Sequence, residues 1–171
     1  MQWIESFCDK FSKYLGIVIA FLLIIMMINV AFDALNRYLM NSNSVALQEM
    51  EWHLFSVIIL LGTSYALSEE GHVRVDIFYT NFSAKKKAII NMIGVITFLL
   101  PLSLLVAFGS LGFVEEAYIF MEQSGDPGGL HYRFIIKGLI PTSFFILIFM
   151  SFGYFARNYN LLKRLNSGSK S

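Results

Sequence analysis

Long apolar stretches alternate with short polar segments along the chain, and this pattern predicts four membrane-spanning helices. Crossing the hydrocarbon core of a bilayer takes roughly 20 apolar residues in a helix. Each apolar stretch has that length or reaches it with the residues that flank it. We therefore expect one all-α integral membrane domain over residues 1–171, with spans at about 14–38, 52–68, 88–114 and 136–156.

Prolines and small residues add detail to these spans. Pro101 lies in the middle of the third span, where its missing N–H predicts a kink. Pro141 falls in the predicted first turn of the fourth span, where a missing N–H costs least. Small residues in three groups mark points at which helices are expected to approach closely: Gly62, Thr63 and Ser64, then Ser103 and Ala107, then Gly109 and Gly112.

The composition supports a membrane protein and excludes several other classes. Hydrophobic residues make up 56% of the 171 residues and charged residues 15%, with a mean hydropathy of +0.62. Soluble domains have roughly 25% charged residues. The net charge of +1 gives no basic surface for a nucleic acid. Cys8 is the single cysteine, which excludes an internal disulfide.

The distribution of lysine and arginine predicts the orientation. Basic residues are enriched on the cytoplasmic side of a membrane protein. The N-terminal segment, the second connection and the C-terminal tail carry two, four and four of them, whereas the first and third connections carry one and two. Both termini are therefore expected to be cytoplasmic.

The first span ends on a polar helical face. Asn29, Asp33 and Arg37 are spaced by four residues and lie on one side of a helix. A buried polar group in lipid costs free energy unless it finds a partner, so this face is expected to lie against protein. An equally open interpretation places Asp33 and Arg37 in the headgroup region.

The segment "NSNSVALQEMEWHLF" predicts a short interfacial helix before the second span. Its first residues are typical of turns and N-caps, and Trp52 suits the headgroup depth. Glu49 and Glu51 interrupt its apolar positions and are candidates for pairing with a basic partner surface. A solvated amphipathic helix explains the same carboxylates.

An abrupt polar cluster, "SEEGHVRVDIFY", follows the second span. In the predicted orientation it is the cytoplasmic exit of the second helix, and "SAKKK" begins the third. Solvated charges at a membrane boundary explain most of this cluster. The three histidines include no pair that faces across the helix bundle, so haem ligation is not expected. The glycines of "GDPGG" lack the following Lys-Ser/Thr of a phosphate loop and predict a chain reversal.

Four stretches resemble the small, Q-type (DctQ-like) membrane subunit of tripartite ATP-independent periplasmic (TRAP) transporters. They are "NVAFDALNRYLMNSN", "LQEMEWHLF", "GTSYALSEEGHVRVDIFY" and "DPGGLHYRFIIKGLIPTSF". The third stretch is the most specific, because it is similar to the family's GHxRVD signature. Family members often have two adjacent acidic residues before the second helix, whereas here Met50 separates Glu49 from Glu51.

The resemblance implies a function in a bacterial inner membrane. Such a subunit pairs with a large DctM-like membrane subunit, which holds the sodium and substrate sites, so no cofactor is expected on this chain. A DctP-like periplasmic binding protein delivers the substrate, typically an organic acid. The small subunit acts as a static, non-enzymatic scaffold for the moving domain of its partner.

The resemblance also gives a role to residues of the cytoplasmic cluster. Gly71 permits a sharp turn as the chain leaves the membrane. His72 belongs to the signature, and Arg74 and Asp76 are expected to fix this connection against the next helix or the large subunit. Two other functions stay open at this point: a membrane anchor for an oxidoreductase, and a small exporter that works alone.

Overall fold

A computed structural model describes residues 2–69 and 82–168 of the chain, and all regular structure in these residues is helical. The helices are α1 (Gln2–Met40), α2 (Val45–Ser68), α3 (Ala84–Gly94), α4 (Leu100–Gly109), α5 (Leu111–Ile119) and α6 (Arg133–Gly168). A π-helical turn joins α3 to α4. Within these residues, four helical runs are long and apolar enough to cross a membrane: Trp3–Met40, Val45–Ser68, Ala84–Ile119 and Arg133–Ser167. This finding confirms the expected fold class of four spans, whereas the cytoplasmic placement of the termini stays a prediction.

The helices extend beyond the apolar stretches that predicted them. α1 has 39 residues and α6 has 36, which correspond to lengths of roughly 58 and 54 Å at 1.5 Å per residue. The hydrocarbon core measures about 30 Å, so these helices either tilt or project from the bilayer. Helix ends therefore do not mark the membrane boundaries, and the predicted limits of the spans stay predictions.

α2 begins directly after a short turn and continues without interruption. Asn41 has a φ of 49° in this turn, and the Ser44 hydroxyl caps the helix by accepting the N–H of Leu47 at 3.4 Å. The expected short helix before the second span is not a separate element, because residues from Val45 onward form the first turns of α2. One Ser cap serves the whole 24-residue helix.

The third helical run contains an irregular turn at the place where Pro101 predicted a kink. Ser83 caps its start by accepting the N–H of Lys86. Val95–Leu99 form the π turn, in which the N–H of Leu100 bonds to the carbonyl of Val95. A proline ring clashes with the carbonyl four residues earlier, and a widened turn directly before Pro101 relieves that crowding.

The prediction for Pro141 is wrong. α6 begins at Arg133, so Pro141 lies inside the helix and not in its first turn. The apolar pattern gave a late start because it ignored Arg133, whose backbone N–H bonds to the carbonyl of Glu122 at 3.0 Å. Close to the proline, the Thr142 hydroxyl donates to the carbonyl of Gly138 at 2.7 Å.

α6 is the centre of the bundle, because it contacts α1, α2 and all three helices of the third run. A buried apolar cluster lies towards the end of the bundle that holds the start of α1 and the end of α2. Its members come from four helical elements: Cys8, Leu67, Val95, Leu147, Met150 and Tyr154.

Two glycines bring helices close together, and neither is among those predicted. A Cβ atom on Gly153 of α6 would lie 2.5 Å from Sγ of Cys8, and one on Gly16 of α1 would lie 2.7 Å from the ring of Tyr65. The small residues predicted at helix contacts differ in their surroundings. Ser64, Ser103 and Ala107 are buried in the described chain. A Cβ atom on any of the three predicted glycines would meet nothing within 4 Å there, so these do not mark close approaches within this part of the chain: Gly62, Gly109 and Gly112.

Candidate functional site

The side chain of Glu49 ties α2 to the connection between the third run and α6. Its Oε1 accepts the hydroxyl of Ser124 and a guanidinium N–H of Arg133, the latter at 3.0 Å. Its Oε2 accepts the backbone N–H of Leu130 at 2.6 Å. We call these four residues the Glu49 anchor. The carboxylate is 12% exposed, and a partially buried charge of this kind is stabilised when both oxygens have donors.

The backbone of residues 120–132 is shaped to receive this carboxylate. Gly129 donates its N–H to the carbonyl of Asp126 at 3.0 Å, and Gly128 has a φ of 82°. Pro127 before that glycine completes the residue pattern of a type II turn. A Cβ atom on Gly129 would lie 2.4 Å from Ser124 and 2.8 Å from Oε2 of Glu49, so only glycine fits. The segment is a chain reversal, as predicted, and it also supplies two hydrogen-bond donors to the Glu49 carboxylate.

A second ion pair holds the same connection from the other side. The ammonium of Lys137 on α6 pairs with the Glu122 carboxylate. The same nitrogen lies 3.8 Å from the centre of the Phe113 ring on α5, a distance suited to a cation–π contact. The 120–132 connection is thus fixed to α2 by the Glu49 anchor and to α6 by Lys137.

The polar face predicted on α1 packs against α2 within this chain. Asn29 Nδ2 donates to the backbone carbonyl of Leu47 at 3.0 Å. Asp33 is fully buried, and Nη2 of Arg37 lies 2.7 Å from its Oδ2. This contact lacks the alignment of a hydrogen bond, so neither oxygen of Asp33 has a hydrogen-bond partner in the described chain. Arg37 itself is half-exposed.

Glu51 occupies a different environment from Glu49. Its Oε1 is buried and has no hydrogen-bond partner among the described residues. The side chain lines a mostly apolar crevice between α1 and α2, together with Met26, Val30, Trp52 and Phe55. Among the described residues, Oε1 of Glu51 therefore has no donor, whereas the basic partner of Glu49 is Arg133 of the same chain.

The other end of the bundle is held by Arg157 of α6. Its Nη1 donates to the backbone carbonyl of Ser68 at 2.9 Å, and its Nη2 pairs with the carboxylate of Asp9. We call these three residues the Arg157 anchor. It joins the C-terminal end of α2 to the first turns of α1. A guanidinium is suited to this geometry because its donors point in fixed, separate directions.

Amides extend the polar network at this end. Asn91 Nδ2 of the third run donates to Asn158 Oδ1 at 2.9 Å, and Asn158 Nδ2 donates to the carbonyl of Tyr154 at 2.9 Å. Asn160 reaches α1 by donating to Glu5 at 2.8 Å. Together with the Arg157 anchor, these contacts join α6 to α1, α2 and α3.

Four of the predicted residues lie outside the described part of the chain. They belong to the polar cluster that follows Glu69: Gly71, His72, Arg74 and Asp76. Their expected role in fixing the connection therefore stays a prediction. The Arg157 anchor holds Ser68, directly before this cluster, so the chain enters the cluster from a fixed point.

Several functional contacts escaped the sequence analysis. Arg133 and Arg157 enter the sequence-based prediction only among the basic residues of the third connection and the C-terminal tail, and the sequence gives no sign of a role for Asp9 and Ser124. Arg133 pairs with Glu49, which lies 84 residues away along the chain, and Arg157 pairs with Asp9, which lies 148 residues away. One signal could have found such pairs: a single basic residue at the edge of an apolar stretch, with a carboxylate at the same predicted membrane depth in another stretch.

The histidines in the described part of the chain do not belong to a metal-binding group. Nδ1 of His53 lies 2.6 Å from the carbonyl oxygen of Glu49, so this ring bonds to the preceding turn of its own helix. Within the same residues, no three His, Cys, Asp or Glu side chains are grouped so that they could hold a metal ion. The expectation that this chain binds no cofactor stays a prediction.

Comparison with known proteins gives one family. The model of the DctQ component of tripartite ATP-independent periplasmic transporters matches residues 22–161. A search of curated proteins found no match. The matched range includes the Asn29–Arg37 face, the Glu49 anchor and Arg157, and it confirms the resemblance that the sequence motifs indicated.

Proposed function

Because the chain belongs to the DctQ component family of the tripartite ATP-independent periplasmic transporters, and is thus a small, multi-pass permease subunit of such a transporter, we propose that it is the static scaffold of a sodium-driven uptake system. Its partners are a large DctM-like membrane subunit and a DctP-like periplasmic binding protein. The complex takes up an organic acid across the bacterial inner membrane, with the sodium sites on the large subunit.

The observation that carries this proposal is the fixation of α6 at both ends. The Glu49 anchor ties the start of α6 to α2, and the Arg157 anchor ties its later half to α1 and α2. A subunit that changes shape needs an element with two arrangements. A four-helix unit whose central helix is held at both ends by ion pairs and hydrogen bonds instead resists rearrangement. It therefore gives a moving partner a fixed surface.

The carboxylate of Glu51 supports a partner in the membrane. Its Oε1 is buried without a hydrogen-bond donor among the described residues, and its side chain lines the crevice between α1 and α2. Asp33, by contrast, is enclosed by this chain and ion-paired with Arg37. A buried charge without a donor is costly. We therefore place a surface for the large subunit at α1 and the adjoining face of α2, with a donor side chain of the partner at Glu51.

Reconstitution tests the function as a whole. Liposomes that contain the chain and the large subunit, with the binding protein added outside, are expected to accumulate a radiolabelled organic acid only under an inward sodium gradient. Liposomes that lack the chain should show no uptake. Full uptake by the large subunit alone would contradict the scaffold function, and uptake by this chain alone would identify a stand-alone transporter.

The docking role proposed for Arg74 and Asp76 has its own test. Arg74→Ala and Asp76→Ala are expected to lower the yield of the complex when a tagged large subunit is purified. Lys85→Ala, a nearby exposed cation, is the matched control. Unchanged yield and uptake in both variants would reject docking by these residues. A visible absorption spectrum of the purified complex separates this function from an oxidoreductase anchor, which would show cofactor bands.

A further inference from the structure

A groove between α2 and α6 has a polar half and an apolar half that meet. The polar half is a cleft of about 450 Å³ beside the Glu49 anchor, and the apolar half is a cavity of about 420 Å³ further along the helices. Ser56, Ile136 and Lys137 line both. The two halves therefore form one continuous groove with a hydrophilic end, which is the arrangement of a phospholipid.

The polar half presents hydrogen-bond donors that the chain does not use. Arg133 is 37% exposed and donates only through Nη2, so Nε and Nη1 make no hydrogen bond to the described residues. Lys137 has three donor hydrogens and one carboxylate partner. These groups suit the oxygens of a phosphate.

The same half also presents an acceptor. Asp126 lines the cleft, and its carboxylate makes no hydrogen bond or ion pair within the described chain, where only its backbone N–H and C=O are used. Two cationic side chains and three carboxylates lie in or directly beside this half: Arg133, Lys137, Glu49, Asp126 and Glu122. An anionic headgroup would add to this surplus of negative charge, whereas a zwitterionic one would not.

The apolar half fits an acyl chain. Phe55, Ile59 and Leu60 line it from α2, and Ile140 lines it from α6. From Trp52 to Leu60 the groove follows α2 for about 12 Å, given the rise of 1.5 Å per residue. Trp52 is 71% exposed beside the polar half, and exposed tryptophans favour the headgroup level of a bilayer.

We propose that this groove binds a phospholipid with an ethanolamine headgroup. Its phosphate accepts from Arg133 and Lys137, its primary ammonium donates to Asp126, and one acyl chain lies along Ile59 and Ile140. Choline has no N–H donor for Asp126, and glycerol has no positive charge, so the groove distinguishes ethanolamine from both. The inference goes beyond the proposed function and requires only that the helices lie in a membrane.

Native mass spectrometry of the purified, delipidated full chain tests the proposal. Micelles are supplied with phosphatidylethanolamine, phosphatidylcholine or phosphatidylglycerol of identical acyl chains. We expect the ethanolamine lipid to be retained about threefold or more over the other two, the effect of one exposed charged contact. Asp126→Asn should abolish this preference, and Ile59→Trp, which fills the apolar half, should reduce retention of all three lipids.

Control variants and a folding readout keep the result interpretable. Ile17→Trp adds the same bulk on an exposed face of α1, and Glu115→Gln removes an exposed carboxylate away from the groove. Both should bind lipid as the unchanged chain does, and all four variants should unfold at similar temperatures. Equal retention of the three lipids, or retention unaffected by Asp126→Asn and Ile59→Trp, would overturn the proposal.

A cross-linking arm separates this inference from the proposed function. In the complex, a cysteine at Ile59 that cross-links to the large subunit would show that protein fills the groove, and this also would overturn lipid binding. If the chain retains the ethanolamine lipid but does not purify with a large subunit, the proposed function fails and the lipid site stands.

Discussion

Glu49 accepts the backbone N–H of Leu130 at 2.6 Å, although 81 residues separate them in the chain. The Glu49 carboxylate on α2 thereby takes the place of water as the hydrogen-bond acceptor for a peptide N–H of the 120–132 connection. A buried carboxylate that loses such donors is strongly destabilised, and the donors lose their acceptor as well. The relationship makes Glu49 the residue on which the shape of this connection depends.

Glu49→Gln is therefore expected to lower the thermal unfolding temperature of the detergent-solubilised chain by a few degrees. The amide keeps one acceptor oxygen but loses the charge that Arg133 and Leu130 contact. Glu115→Gln serves as the control, since Glu115 is exposed at the end of the third run. Equal unfolding temperatures for the two variants would show that the anchor contributes nothing to stability.

Gly129→Ala should disrupt the same connection through sterics alone. The new Cβ would lie 2.4 Å from Ser124 and 2.8 Å from Glu49, so the loop must shift, at a cost of about 1–3 kcal/mol as for other overpacked sites. Limited proteolysis between α5 and α6 should be faster. Gly125→Ala is the matched control, because a Cβ atom there meets nothing within 4 Å.

Gly153→Ala tests the close approach of α6 to α1. A methyl group would lie 2.5 Å from Sγ of Cys8, and overpacking of this kind costs about 2 kcal/mol. Chemical unfolding in detergent, followed by circular dichroism, should show the loss. Gly62→Ala adds a methyl group to open space on α2 and should be at least as stable as the unchanged chain, because Ala favours a helix over Gly. A similar loss of stability in both variants would show that the contact with Cys8 is not its cause.

A double-mutant cycle of Asp9→Asn and Arg157→Gln measures the other anchor. The pair is partly exposed, at 42% for Asp9 and 32% for Arg157, so a coupling energy of only about 0.5 kcal/mol is expected. Arg157→Gln alone should cost more than Asp9→Asn alone, because it also removes the bond to the carbonyl of Ser68. Equal single effects would contradict that second bond.

The sequence predicted the helical spans well because lipid allows few backbone arrangements. With no water to satisfy peptide groups, a long apolar stretch must be helical, and all four stretches are. Helix starts were predicted less well, as Pro141 shows. α6 begins at Arg133 because a distant carbonyl, that of Glu122, accepts its N–H, and hydropathy contains no trace of that contact.

The candidate site was predicted in part. Asn29 was expected to need a protein partner because of its position in an apolar stretch, and it bonds to Leu47 of the next helix. The partner of Glu49 was sought on another subunit, whereas Arg133 lies 84 residues further along this chain. Pairings at such separations depend on how helices are arranged, which the pattern of one chain does not encode.

The central position of α6 has a consequence for biogenesis. Chains are synthesised from the N-terminus, so α6 leaves the ribosome after the five helices that it contacts. Before that, α1 and α2 can already pack against each other, but Arg133 and Arg157 are not yet present to join them to the rest of the bundle. In a nascent chain halted before residue 133, the third run is therefore expected to lack the helix against which it packs.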